Sequence, residues 1–166
     1  MKQYKIKGII IKKKPFMEAD KLLTIYSFER GKIRAVAKGA RKPKSKFGGR
    51  LEIFSYNNFL VNSGRNLDII SDAATINSFQ KIKRDFELIK KGSYFLNMVD
   101  KITPFENPNM NLFILLKNVL LALEENKNFY KLDKEFKKQI LEIEGIKSEE
   151  TYTEREFKVF LEDYVV

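Results

Sequence analysis

Leu22-Leu23-Thr24-Ile25-Tyr26-Ser27-Phe28, then Glu29-Arg30-Gly31, then Lys32-Ile33-Arg34-Ala35-Val36-Ala37-Lys38 reads as a β-hairpin. Both flanks are rich in β-branched and aromatic residues, which suit a pleated, half-buried surface. The connection is short, and Gly31 can adopt the positive φ of a tight turn without a Cβ clash. Outward from this hairpin, strands are expected at residues 4–14, 51–61 and 67–71. The first alternates clearly at Tyr4, Ile6 and Gly8 and then blurs, with Gly8 a candidate bend or bulge. Asn62-Ser63-Gly64-Arg65-Asn66 is turn chemistry between the last two strands. Five strands in about seventy residues predict a small barrel.

From about Thr75 the apolar period lengthens from two to between three and four. Phe79, Ile82, Phe86, Ile89, Leu96 and Val99 then line one face of a long helix. Prolines at Thr103-Pro104 and Asn107-Pro108-Asn109 disfavour helix in the residues before them, so this segment is a loop. Helices are expected at 110–125, 129–144 and 153–163, bounded by Glu125-Asn126-Lys127-Asn128 and by Gly145 as a C-cap. The class is α+β: a five-stranded barrel over residues 1–78 and an all-helical domain over residues 79–166.

Apolar residues are 43% of the chain and charged residues 33%, which excludes both a disordered chain and a membrane protein. Ile9 to Ile11 runs straight into Lys12, Lys13 and Lys14, so no signal peptide is expected. Leu112 to Leu123 is interrupted by Lys117 and Asn118 and is too short to span a bilayer. A cytoplasmic protein with no membrane partner is expected. The chain has no cysteine and no histidine, which removes disulfides, thiolate nucleophiles, imidazole bases and the usual zinc ligands. Carboxylates are the remaining catalytic candidates, and Glu18 with Asp20, or Glu142, Glu144, Glu149 and Glu150, could hold Mg²⁺. A metal nuclease needs carboxylates converging from several elements, and the basic half holds few, so no enzyme, metal or cofactor is expected.

Charge is distributed unevenly. Residues 1–84 hold 20 Lys and Arg against 6 Asp and Glu, net +14, whereas the rest hold 12 against 16, net −4. Positive charge confined to one half creates a local field that attracts polyanions. Its centre is Lys38-Gly39-Ala40-Arg41-Lys42-Pro43-Lys44-Ser45-Lys46-Phe47-Gly48-Gly49-Arg50, with six cations in thirteen residues between strands three and four. Lys38, Arg41, Lys42, Lys44, Lys46 and Arg50 can neutralise phosphates, the glycines allow close backbone approach, and Phe47 can offer a face to a base. A solvated loop that merely aids solubility is the competing reading. The Lys-rich, acid-poor strands around the loop favour nucleic acid, with single-stranded DNA as the expected partner and double-stranded DNA as a second candidate.

Lys44-Ser45 after Gly39 suggests a phosphate-binding P-loop, but no glycine directly precedes the lysine and a strand rather than a helix follows. ATP binding by this segment is therefore rejected. Tyr4, Phe16, Tyr26, Phe28, Phe54, Tyr56 and Phe59 can serve either as core or as stacking surfaces, and parity does not separate the two uses.

Pro15-Phe16-Met17-Glu18-Ala19-Asp20-Lys21-Leu22-Leu23-Thr24-Ile25-Tyr26, Glu29-Arg30-Gly31-Lys32-Ile33 and Ala37-Lys38-Gly39-Ala40-Arg41-Lys42-Pro43-Lys44-Ser45, followed by Glu52 and Phe54, resemble the bacterial recombination mediator family RecO. The likeness covers the barrel half; beyond residue 80 it rests on helical pattern. The resemblance implies an OB-fold followed by a helical domain. It further implies non-enzymatic DNA binding, strand annealing and help in loading recombinase, with RecR and single-strand-binding protein as partners. It adds Arg30, Lys32 and Arg34 to the basic loop as DNA contacts. With no cysteine, the chain is expected to be a short member without the family's four-cysteine zinc module. The alternative is an adaptor whose basic charge steers an acidic partner tail.

Overall fold

The hairpin at Gly31 forms with φ +68° at the glycine, and Ser27 ties its ends by accepting the Arg30 N–H at 3.1 Å and donating to the Gly31 carbonyl at 2.9 Å. The computed structural model describes residues 2–145, so the helix expected at 153–163 and the acids Glu149 and Glu150 lie outside the described residues. Five strands, β1 (Gln3–Phe16), β2 (Asp20–Ser27), β3 (Gly31–Ala37), β4 (Tyr56–Asn62) and β5 (Asp68–Asn77), close into a barrel in the order β1-β2-β3-β5-β4. Neighbouring strands are antiparallel except β3 and β5, which run parallel through Ala35↔Asp68 and Val36↔Ile69.

The barrel interior follows the alternation of its strands. Ile6 and Ile10 from β1, Leu23 and Ile25 from β2, Ile33, Ala35 and Ala37 from β3, Phe59 and Val61 from β4, and Ile70 and Ala73 from β5 make one buried cluster. Gly8 faces this interior closely: a Cβ there would fall 2.4 Å from the Ile25 Cγ2. The bulge, however, is not at Gly8. The register slips by one residue between Ile10 and Lys12, so Ile10 pairs with Ile25 and Lys12 with Thr24. A one-residue insertion exchanges the two faces of the strand beyond it. Lys12 and Lys14 would share the inward parity of Ile10 without that slip; with it they join the outward set.

Two other expectations change. Leu51 to Ser55 is a run of turns rather than the start of the fourth strand, with Phe54 at φ +77° and both Leu51 and Phe54 buried. The last strand, in contrast, runs on to Asn77.

The chain divides into two compact units. The first runs to Phe79 and takes in Phe105–Pro108; the second holds Gln80–Pro104 and the chain from Asn109 onward. The long helix expected from residue 79 is broken into α1 (Gln80–Lys83) and α2 (Phe86–Ile102). Asp85 breaks it by acting as an N-cap, its carboxylate accepting the Glu87 and Leu88 N–H groups at 2.9 and 3.2 Å. Phe86, expected on the buried face, is therefore 72% exposed. Helices α3 (Met110–Glu124) and α4 (Phe129–Ile143) begin at N-caps Asn109 and Asn128, and α3 packs against both α2 and α4. Edge-to-face contacts of Phe95 with Phe129 and Phe136, and of Tyr94 with Phe129, join α2 to α4.

Candidate nucleic-acid interface

The outward faces of β1 and β3 carry cations in rows that pair through β2. Lys12 pairs with Thr24, and Thr24 with Arg34; one row further, Lys14 pairs with Leu22, and Leu22 with Val36. Lys38 follows Val36 at the end of β3, and Arg34, Lys38, Lys12 and Lys14 are all exposed. Strand pairing thus places cations from distant sequence positions in adjacent rows.

Beyond β3 the basic segment is not an open loop. It is a chain of tight turns, with Lys42 N–H to the Gly39 carbonyl at 3.1 Å, Ser45 to Lys42 at 3.0 Å, Gly48 to Ser45 at 3.3 Å and Arg50 to Phe47 at 3.1 Å. Its apolar side chains Ala40, Phe47 and Leu51 enter the barrel's core cluster. The turns are also tied to the β1–β2 connection. Asp20 accepts the Gly39 N–H at 2.8 Å, and the Ala19 carbonyl accepts the Arg41 N–H at 2.9 Å. Gly39, at φ +68°, therefore spends its amide on the Asp20 carboxylate rather than leaving it for a phosphate.

This geometry sorts the residues expected to bind nucleic acid. Lys38, Arg41, Lys42 and Lys44 stand exposed along the turns, and Lys38, Lys42 and Lys44 make no ion pair among the described residues. Arg41 reaches the Glu18 carbonyl at 3.4 Å with its side chain. Lys46 and Arg50 are occupied differently. The Lys46 ammonium donates to the Ser71 carbonyl at 2.6 Å, and the Arg50 guanidinium donates to the carbonyls of Phe47 at 2.9 Å, Ala73 at 2.8 Å and Lys46. Both staple the turns to β5. Phe47 corrects the sequence expectation outright: it is 1% exposed within the core, so its ring offers no face to a base. The physical reason is that burial of apolar area drives the ring inward, and Phe47 is the largest apolar side chain among these turns that enters the core.

Arg30 and Lys32 meet a segment from far along the chain. Arg30 pairs with Glu106 at 3.3 Å and lies 4.2 Å from the centre of the Tyr4 ring. Lys32 is only 6% exposed, its ammonium 4.6 Å from the centre of the Phe105 ring. Phe105 forms a parallel bridge with Lys32 at the edge of β3, and the Glu106 N–H donates to the Lys32 carbonyl at 2.9 Å. Burial, with a hydrogen bond to Asp68 adding to it, pushes the Tyr4 hydroxyl well above the usual phenol range. Among the barrel aromatics, Tyr26, Phe54 and Phe59 are buried.

Lys12, Lys14 and Phe105 were not among the residues expected at the site. The first two depend on the bulge. Phe105 sits in a loop whose sequence gives no sign that it packs on the barrel.

A closed five-stranded barrel of this strand order, with a parallel β3–β5 pair and a basic outer face, is an OB-fold. Residues 1–79 match the family model for the recombination protein O N-terminal domain. A DNA repair protein RecO of Desulforamulus reducens is 39% identical over 120 residues, covering 72% of this chain and 47% of its own length. Those of Trichodesmium erythraeum and Pelotomaculum thermopropionicum are 43% and 38% identical over 124 and 123 residues, covering 75% and 74% of this chain and 43% and 48% of their own lengths. The chain belongs to the RecO family. It spans less than half the length of these curated relatives.

Proposed function

We propose that the chain acts in DNA repair and recombination as a non-enzymatic factor that binds single-stranded DNA, anneals complementary strands and helps recombinase to load. The observation that carries this reading is the basic outer face of the OB-fold, where Lys12 and Lys14 of β1, Arg34 of β3 and Lys38, Arg41, Lys42 and Lys44 of the adjoining turns come together. Flexible exposed cations on a curved sheet track a phosphate backbone and do not need a duplex groove. The printed names of the relatives, all DNA repair proteins, support the same process. Partnership with RecR and with single-strand-binding protein, and any contact with double-stranded DNA, belong to the same proposal.

The test is annealing of complementary oligonucleotides, bare and coated with single-strand-binding protein, by the native chain and by a K38E/K42E/K44E variant. Acceleration by the native chain and its loss in the variant are expected. Equal annealing by both would remove the assignment to this face.

A further inference from the structure

Few rings of the barrel are open to a base. Tyr26, Phe54 and Phe59 are buried, Phe16, Phe28 and Tyr56 are half-buried, and the half-buried Tyr4 is tied to Asp68 through its hydroxyl. Phe105 is different: it is 44% exposed, it belongs to the same compact unit as the barrel, and it lies beside the basic face. The buried Lys32 ammonium and the exposed Arg34 guanidinium both lie over its ring, 4.6 and 4.8 Å from the centre, so a base that stacks there shares the ring with Arg34. Arg34 pairs through Thr24 with the row that holds Lys12.

The ring is held in place rather than left to swing. Its backbone bridges Lys32, the Glu106 N–H is taken by the Lys32 carbonyl, and the Glu106 carboxylate holds Arg30. Glu106 takes φ +56°, a conformation that costs a non-glycine residue energy and persists only where its surroundings hold it. Gly31 is part of the seat, because a Cβ there would fall 2.5 Å from the Asn107 carbonyl oxygen.

We infer that Phe105 is a stacking platform for an unpaired base, supplied to the OB-fold by a loop between helices α2 and α3. An aromatic ring fixed next to cations serves both parts of a nucleotide, the base by stacking and the phosphate by charge. Because stacking needs a free base face, the platform selects single strands over duplex. The inference rests on the single-strand binding proposed above.

The chain has no tryptophan, so F105W places a lone indole at the site. Titrating this variant with oligo(dT) should quench its fluorescence, and an abasic strand of equal length should bind without quenching it. F105A and F105L, checked by thermal melting to be folded, should bind oligo(dT) about tenfold more weakly, the scale of one base stack. Both should keep the native affinity for the abasic strand. Unchanged oligo(dT) binding, or an equal loss on both strands, would overturn the platform. Failure of the native chain to bind either strand would overturn the single-strand reading and the platform with it.

Discussion

The Arg50 guanidinium donates to the Ala73 carbonyl at 2.8 Å, joining the end of the basic turns to the middle of β5. With two further bonds to the Phe47 and Lys46 carbonyls, this side chain closes the turn 46–50 like a clasp. Hydrogen bonds from a charged donor contribute more than neutral ones, and Arg50→Ala should destabilise the barrel by about 2 kcal/mol. Chemical denaturation monitored by circular dichroism reads this directly. A variant with native stability but lost strand binding would restore Arg50 to the interface.

Phe47 gives a sharper contrast between packing and contact. Its removal opens a cavity in the core cluster, so Phe47→Ala should cost about 3–5 kcal/mol. Phe47→Leu keeps most of the volume and has no aromatic face. Strand affinity in the folded Leu variant should match the native chain; a clear loss would mean that the ring reaches a base after all.

The exposed lysines should act through charge alone. If about six phosphates are neutralised, the logarithm of affinity for single strands should fall with the logarithm of salt at a slope of about −4. In K38Q/K42Q/K44Q that slope should shrink to about −2, with the melting temperature unchanged. An unaltered slope would place the phosphate contacts elsewhere.

Glu52 makes barrel stability depend on pH. Burial opposes its ionisation, but Lys13 and Lys21 outweigh it and hold the carboxyl below the usual carboxylate range. Its folded pKa therefore lies below its unfolded one. The stabilisation is present at neutral pH and is lost as pH falls through the folded value. Glu52→Gln should lower the melting temperature at about pH 7 and narrow the further drop on going to about pH 3. Parallel melting curves for the two proteins across this range would show that the pair adds nothing. Glu52 is partly exposed, so the effect should be modest and should weaken in salt.

Part of this fold is legible locally. The hairpin at Gly31 shows because the turn and its two strands are adjacent in sequence, and the helices at 110–124 and 129–143 show because their apolar periods and Asn caps are local signals. The break at Asp85 is also local, yet the apolar period runs across it. Capping chemistry prevailed over periodicity there. The bulge at Ile11 left only a blurred alternation, since an extra residue is recognised only by what it faces across the sheet.

By itself the sequence determined the charge asymmetry, the number of strands and the absence of cysteine and histidine, because each is a count or a short-range pattern. Tertiary structure decided which cations share a face. Lys12 and Lys14 turn outward only through the bulge, while Lys46 and Arg50 turn to backbone carbonyls that no local pattern reveals. It also exchanged the two phenylalanines: Phe47, inside the basic segment, is buried in the barrel's core, and Phe105, far from it in sequence, comes to lie under Arg34. Burial of apolar area and pairing of backbone groups are settled by the closed barrel as a whole, and they outweigh the neighbours a residue has along the chain.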